Sequence, residues 1–240
     1  MFDNLKKQDD VKADGDVIFS SVFETGAYDF TIDVAYADQS EGGAAYMNLS
    51  LVSDTGRTMN QRIFFTSGDA KGNSITYDVK KNGKPTGEKR YLPGFTIVSD
   101  LHEIITGSPL AEMQTEGKLV KVYNKDAGKE IPEEKAVLTA LVGQKIKLGI
   151  QEQQIFKTVN QDGKYVETTE ITKRNEVVKV FNAETGQTQE EMENDVEALF
   201  LDKWIATYAG KMVDKTGGKK GTESKGNTSK AAPTKQKMFG

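Results

Sequence analysis

The feature that most constrains the fold of this 240-residue chain is a strict alternation of apolar and polar side chains near its start. Tyr28, Phe30, Ile32 and Val34 alternate with Asp29, Thr31 and Asp33. Successive side chains of a strand point to opposite faces, so this period of two predicts a half-buried β-strand. We predict a first strand within Val17–Asp38.

Two further strands are separated by turn sequences. Gly42-Gly43 interrupts the first run, and residues 45–52 and 57–66 form the second and third runs. Ser53-Asp54-Thr55-Gly56 between them is typical of a hairpin turn. Beyond the third strand, Asn82-Gly83 predicts the type I′ tip of another hairpin, within a long polar excursion that extends to Pro93-Gly94.

Helical spacing follows this excursion. Ile97, Leu101, Ile104 and Ile105 predict a helix over residues 96–106 that stops at Gly107. Further strands are predicted at 119–123, 145–159 and 164–172, with a short helix or turn at 137–142. A long helix is predicted over Gln187–Ala209 from one apolar stripe, which consists of Met192, Val196, Leu199, Phe200, Trp204, Ile205 and Tyr208.

This order of elements predicts a mainly β fold with helices. It matches an OB-type β-barrel in which a helix follows the third strand, with a C-terminal helix at 187–209 and a disordered basic tail. We divide the chain into an N-terminal arm (1–16), an OB-like domain (17–210) and the tail (211–240). Gly, Ser, Thr, Lys and Asn dominate the tail, a composition that buries too little apolar surface to fold alone.

The charges are distributed unevenly. The whole chain has a formal net charge of −4, yet residues 211–240 contain eight lysines against two acidic residues. A second basic cluster lies within the acidic remainder and consists of Lys80, Lys81, Lys84, Lys89 and Arg90. Binding of nucleic acid depends on such local patches rather than on total charge.

The sequence offers no catalytic constellation. The absence of cysteine excludes disulfides, thiolate zinc sites and a cysteine nucleophile. His102 is the single histidine, and no Gly-x-Ser-x-Gly elbow accompanies it. The glycine-rich stretches 68–74 and 83–89 lack the spacing of a triphosphate-binding loop, and the acidic pairs 133–134 and 190–191 are predicted to be solvated. We predict a non-enzyme without cofactor or metal.

No apolar run approaches the roughly 20 residues that a membrane-spanning helix needs. The first residues also lack the pattern of a secretory signal. We therefore predict a protein that works in the cytoplasm where it is made, with no membrane partner.

Binding of single-stranded DNA without sequence preference requires cations for phosphates and aromatic faces for bases. The segment from Phe64 to Phe95 interleaves both kinds of residue. The predicted DNA-binding residues are Arg57, Arg62, Phe64, Lys71, Tyr77, Lys80, Lys81, Lys84, Lys89, Arg90 and Tyr91. Packing is the alternative for some of them: Phe64 and Phe65 must face opposite sides of a strand, so one belongs to the core, and Phe95 can anchor the loop.

Several stretches resemble a family of bacteriophage single-stranded DNA-binding proteins of the podovirus type. They are Ser40-Glu41-Gly42-Gly43-Ala44, Phe65-Thr66-Ser67-Gly68-Asp69-Ala70-Lys71-Gly72, Tyr91-Leu92-Pro93-Gly94-Phe95 and Asp202-Lys203-Trp204. The resemblance spans residues 17–210. It implies an OB-like fold, protection of single strands during phage DNA replication and recombination, a role in transcription activation, and the cytoplasm of an infected bacterium as the location.

The tail departs from better-known members of such families, which carry an acidic tip that recruits partner proteins. Here residues 235–240 read Lys-Gln-Lys-Met-Phe-Gly. We expect the tail either to add non-specific DNA affinity or to dock on an acidic surface of an RNA polymerase or a replication protein. Its predicted partner-binding residues are Lys230, Lys235, Lys237 and Phe239. A purely solubilising tail is the alternative.

Three functions remain open at this point. The first is sequence-independent binding of single-stranded DNA. The second is a transcription cofactor that binds single-stranded DNA and recruits or activates an RNA polymerase through its basic tail. The third is an acidic structural or inhibitor protein that has no role with nucleic acids.

Overall fold

A computed structural model describes residues 22–124, 127–161, 164–218 and 222–223. Its strands are β1 (Gly26–Gln39), β2 (Ala45–Ser53), β3 (Thr58–Phe64), β4 (Thr76–Lys81), β5 (Lys84–Tyr91), β6 (Glu116–Asn124), β7 (Lys129–Val137), β8 (Lys145–Gln161), β9 (Lys164–Phe181), β10 (Val213–Asp214) and β11 (Thr222–Glu223). Its α-helices are α1 (Pro93–Thr106), α2 (Gln189–Glu193) and α3 (Phe200–Tyr208). The predicted mainly β fold is confirmed.

The strand β1 organises the main sheet. Along one edge it pairs with β2 over Phe30–Gln39. Along the other edge its first half pairs with β8 over Gly26–Thr31, and its last part pairs with β7 at Tyr36 and Ala37. All of these pairings are antiparallel, and the path continues from β2 to β3 on one side and from β8 through β9 to the short β11 on the other. One strand thus serves two neighbours on the same edge.

A register shift within β1 changes which residues face the core. The irregularity lies between Ile32 and Val34, where Asp33 is the extra residue opposite β2. Phe30 and Ile32 are buried as the alternation predicts, but Ala35 continues the inward series. Val34, Tyr36 and Asp38 face the opposite side of the sheet. The simple alternation of apolar and polar residues therefore fails at this bulge.

The sheet is not closed, so the barrel of the predicted OB-type fold is not confirmed. Among the described residues, β3 pairs only with β2, and no ladder joins it to β9. The helix α1 packs across this opening with Ile97, Val98 and Leu101 buried. It follows the third strand of the main sheet, after the β4–β5 hairpin, and Gly107 terminates it as predicted with φ of 70°.

A hydrophobic core fills the space between the sheet and α1. Its largest fully buried members are Phe23, Phe30, Ile32, Met47, Leu49, Leu51, Leu101, Leu138, Leu141, Ile146 and Leu148. Half-buried Phe65, Ile104 and Ile105 pack against this cluster. Residues 138–143 form turns rather than a helix.

The predicted long helix at 187–209 is wrong, because α2 and α3 are separate. Glu191 explains the break: its Oε1 accepts hydrogen bonds from the backbone amides of Leu199 at 2.9 Å and Phe200 at 2.8 Å. Those amides begin α3, so one carboxylate ties α2 to the start of the next helix. Asp195 between them has φ of 51°, which no α-helix allows.

The apolar stripe assigned to that helix is largely exposed. Trp204 is buried against Gly149. Several others are exposed by more than a third of their surface, namely Val196, Leu199, Phe200, Ile205 and Tyr208. Gly210 does close the helical region, with φ of 70°.

Other differences concern charged strands and chain ends. The sequence analysis missed β7, which reads Lys-Glu-Ile-Pro-Glu-Glu-Lys-Ala-Val, and it ended β9 at Thr172. Residues 211–218 of the predicted tail belong to the folded body, because β10 pairs with β8 and Thr216 is buried. The arm 1–16 and residues 17–21 lie outside the described residues. No helix in the described ranges is long and apolar enough to cross a membrane.

Candidate functional site

The segment Thr76–Tyr91 forms a two-stranded sheet of its own, here named the basic hairpin. Asn82 and Gly83 form its tip with φ of 51° and 78°, as a type I′ turn requires. Lys81 lies opposite Lys84, so the predicted hairpin and its tip are confirmed. Every residue of β5 is exposed, and therefore none of its side chains serves the core.

Most cations of the basic hairpin face water without an acidic partner. Arg90 Nε forms an ion pair with Glu88 Oε1 at 2.6 Å. Within the described ranges no ion pair engages the lysines, which are Lys80, Lys81, Lys84 and Lys89. Lys71 is also exposed, in a 3₁₀ turn at Asp69–Lys71 just before the hairpin. The basic hairpin therefore carries several positive charges that no acidic side chain of the described residues neutralises.

Two exposed tyrosines stand at the base of the basic hairpin. Tyr77 is 43 % exposed and Tyr91 is 58 % exposed, which is high for aromatic side chains. The ladder pairs Tyr77 with Arg90, whereas it pairs Tyr91 with Thr76. Because side chains alternate along each strand, the two tyrosines lie on opposite faces of the hairpin. Their exposed rings are therefore two separate surfaces rather than one.

Tyr91 stacks on Phe95, the first aromatic residue of α1. Their ring centroids are 5.0 Å apart with 29° between the planes. Between them, Gly94 lies so close to β3 that a Cβ there would overlap the carbonyl oxygen of Phe64. The Tyr91–Phe95 pair is thereby fixed at the end of β3.

Three of the four stretches that carry the family resemblance converge at this end of the sheet. The amide of Asp69 donates to the carbonyl of Gly42 at 2.8 Å, which joins the β1–β2 turn to the loop after β3. The amide of Leu92 donates to the carbonyl of Ile75 at 2.8 Å, which joins the two ends of the basic hairpin. The fourth stretch lies on α3, where Trp204 packs against Gly149.

We name the side of β1–β2–β3 that faces away from the core the outer face. It begins at this end of the sheet. Phe64 is 45 % exposed and meets Tyr46 edge-on, with ring centroids 5.2 Å apart. The guanidinium of Arg62 lies 4.4 Å from the centroid of the Tyr46 ring, and its Nε donates to Asn48 Oδ1 at 3.1 Å. Phe65 turns inward, so the expected division between Phe64 and Phe65 is confirmed.

Arg57 does not join this surface. It precedes β3, at the opposite end from Phe64, and its guanidinium lies 3.9 Å from the centroid of the Phe23 ring. Phe23 is 2 % exposed and belongs to the core. Arg57 therefore covers the bottom of the core, and the structure separates it from the other predicted DNA-binding residues.

A groove of about 880 Å³ separates the outer face from the β6–β7 hairpin. One wall carries Tyr36, Asn48 and Arg62, and the other carries Lys121 and Tyr123 of β6. Tyr123 is 63 % exposed. Asn48 Nδ2 has no hydrogen-bond partner in the described part of the chain, so it is an unused donor at this wall. The groove extends the surface that begins at Phe64.

The groove residues Tyr36, Lys121 and Tyr123 were not predicted from the sequence, and neither was Tyr46 on the outer face. The signal for Tyr36 was hidden by the bulge at Asp33, which moves it to the outer face. Lys121 and Tyr123 alternate with Val120 and Val122 along β6. This pattern predicts a strand, but it does not predict which part of the molecule each face of the strand meets.

Beside Tyr36, the charge of Lys135 is neutralised by two acidic side chains. Lys135 Nζ bonds Asp38 Oδ2 at 2.8 Å and Glu133 Oε2 at 3.1 Å. Partial burial alone would raise the pKa of Asp38, but the hydrogen bonds from Lys135 and from the Gln39 amide outweigh it and hold that pKa below its ordinary value. Burial raises the pKa of Tyr36. Lys135 therefore contributes little free charge to a ligand.

The structure gives His102 a structural role. It is 5 % exposed, and its Nδ1 lies 2.8 Å from the carbonyl oxygen of Ser108 at the end of α1. Within the described ranges no group of three or more histidine or acidic side chains is arranged to hold a metal ion. Glu133 and Glu134 lie on the strand β7 rather than on a helix, so they point to opposite faces.

The predicted partner-binding residues Lys230, Lys235, Lys237 and Phe239 lie outside the described residues. Comparison with known proteins adds no relative: no protein-family model matches the chain, and neither does any curated protein.

Proposed function

We propose that this protein binds single-stranded DNA without sequence preference and without catalysis. The observation that carries the proposal is the basic hairpin, an exposed arm whose four lysines form no ion pair within the described part of the chain and whose two tyrosines lie on opposite faces. These lysines form no ion pair with a described residue, and a cation track beside aromatic faces is what single strands require.

The path of the DNA follows the positions of these groups. It starts on the basic hairpin, passes the Tyr91–Phe95 pair, and continues over Phe64 into the groove beside the outer face. Arg62 and Lys121 supply charge along the groove, and Tyr123 supplies a further exposed ring. Phosphates and ring faces occur in every nucleotide, so this recognition is independent of sequence.

The connectivity supports an OB-type interpretation of the fold. Three antiparallel strands are followed by a helix and by strands that return to β1, and α1 occupies the opening that β3 and β9 leave. We propose an open OB-type barrel that protects single strands during phage DNA replication and recombination.

Fluorescence anisotropy of labelled oligo-dT, titrated at several salt concentrations, tests the proposal. We expect tight binding at low salt, a steep loss with added salt, and weak competition by duplex DNA. RNA is included as a competitor to measure the preference for DNA. Failure to bind any single strand at low salt would contradict the proposal and leave an acidic protein with no role in nucleic-acid binding.

A further inference from the structure

An acidic stretch forms α2 and its connection to α3. Residues 187–202, here named the acidic unit, contain six acidic residues and no lysine or arginine. Glu191 is used inside the fold, because its carboxylate bonds the amides that begin α3. The other five are exposed, and they are Glu190, Glu193, Asp195, Glu197 and Asp202.

The acidic unit also presents apolar side chains to solvent. Val196, Leu199 and Phe200 are exposed between these acidic residues. Within the described ranges no ion pair engages any of the five exposed carboxylates. Lys179, whose Nζ lies 5.5 Å from the centroid of the Phe200 ring, is paired with Asp100 at 3.6 Å. An apolar patch with a charged rim is typical of a protein-interaction surface.

Hydrogen bonds hold the acidic unit in one arrangement. Thr188 and Glu191 form a capping box at the start of α2. Gln187 Nε2 donates to the carbonyl oxygen of Val196 at 2.7 Å, and the Val196 amide donates to the carbonyl oxygen of Glu191 at 3.0 Å. A surface that is ordered before binding loses little conformational entropy when a partner binds.

The basic hairpin is a complementary surface on the same chain. Its four lysines form no ion pair with a described residue, and Tyr77 and Tyr91 are exposed beside them. One surface is thus negative with exposed apolar side chains, and the other is positive with exposed rings. Among the described residues no ion pair joins the two surfaces, so they do not neutralise each other within one chain.

We propose that the acidic unit of one copy of this protein binds the basic hairpin of a second copy. Each copy offers one surface of each kind, so the contact is head-to-tail rather than symmetric. A pair therefore keeps one free hairpin and one free acidic unit, and association can continue beyond a dimer. The proposal rests on the charge and exposure of two protein surfaces, and it does not depend on DNA binding.

Sedimentation velocity of the full chain over a range of protein concentrations tests the contact. We expect association at low salt that is lost at about 1 M salt, where the Debye length is only about 3 Å. The associated species should grow beyond a dimer as the concentration rises. A chain that stays monomeric at low salt, or that associates equally at both salt concentrations, would contradict the proposal.

Charge reversal identifies the two surfaces. One variant carries K80E/K81E/K84E in the basic hairpin, and the other carries E190K/E193K/E197K in the acidic unit. Each variant alone should associate more weakly than the natural chain by about tenfold or more, because like charges then face each other. An equimolar mixture should regain the association, since each variant complements the other. Glu191 is left unchanged because it holds the start of α3.

The matched control is K230E/K235E/K237E, which changes the net charge as much as the hairpin variant does. It should associate like the natural chain. Loss of association in this control would assign the contact to the tail and refute the proposal. The proposal would also be wrong if the mixture stayed monomeric, or if the hairpin variant alone associated as strongly as the natural chain.

Discussion

The basic hairpin and the outer face carry similar residue types in opposite structural settings. On the outer face, Arg62 lies over Tyr46 and bonds Asn48, so its charge and the ring both serve the fold. On the hairpin, the lysines form no ion pair with any residue that the structure describes, and all of β5 is exposed. Substitutions of the hairpin lysines should therefore change binding alone, whereas those on the outer face should change both binding and stability.

The largest effect is expected from Tyr77→Ala combined with Tyr91→Ala. Each base stacked on an aromatic side chain contributes about 1 to 3 kcal/mol, so the double variant should lose about 2 to 6 kcal/mol of oligo-dT affinity. Because the tyrosines lie on opposite faces, each single variant should account for part of the loss. Anisotropy at fixed salt measures it.

Tyr165→Ala is the matched control, since this tyrosine is 70 % exposed but lies near the start of β9, where it pairs with Asn160 of β8. It should leave affinity unchanged. If Tyr165→Ala lowered the affinity for oligo-dT as much as the double variant does, the chain would have to bind DNA on another surface.

Gly94→Ala tests how the hairpin is attached to the sheet. Its Cβ would overlap the carbonyl oxygen of Phe64, and over-packing of this kind costs about 1 to 3 kcal/mol. The melting temperature should fall by about 2 to 4 °C per kcal/mol in a domain of this size. Gly42→Ala is the control, because nothing lies within 4 Å of its Cβ position. Equal melting temperatures of both variants would refute the close contact.

Replacing Lys80, Lys81 and Lys84 with Ala together tests the free charge of the hairpin. If each neutralises one phosphate of a single strand, the slope of log affinity against log salt should become less negative by about 2. Thermal stability should stay the same. The control replaces three exposed lysines elsewhere, namely Lys145, Lys203 and Lys215. An unchanged slope in the hairpin variant would exclude phosphate contacts by these lysines.

The smallest effect is expected from Lys135→Met on the rim of the outer face. In the natural protein the pKa of Asp38 is lowered, so its contribution to stability is present above its unfolded pKa of about 3.9 and is lost as the pH falls through its folded pKa. Without Lys135, partial burial should raise the pKa of Asp38 instead. NMR titration of the Asp38 carboxyl measures this, and an unchanged pKa would mean that the ion pair does not form in solution.

The elements that could be predicted are those determined by residues close together in the sequence. Asn82-Gly83 determines a hairpin tip through left-handed backbone angles, and the spacing from Ile97 to Ile105 determines one face of α1. These features need no knowledge of distant residues. The three stretches of the family resemblance also mark the end of the sheet where the hairpin is anchored.

The missed features depend on contacts between distant residues. The bulge at Asp33 is visible only in the pairing of β1 with β2, and it decides that Tyr36 faces the groove. The break at 194–199 depends on a carboxylate, that of Glu191, which bonds amides eight and nine residues later. The strand β7 lacks a clear alternation of apolar and polar residues, because Pro132 and five acidic or basic residues make up most of it.

Lysine acetylation footprinting, with and without oligo-dT, tests most directly whether the basic hairpin and the groove form one DNA-binding surface. The account predicts that DNA protects Lys80, Lys81, Lys84 and Lys121 from acetylation, while Lys203 on α3 reacts equally in both states. Protection of Lys203 with continued reactivity of the hairpin lysines would contradict it.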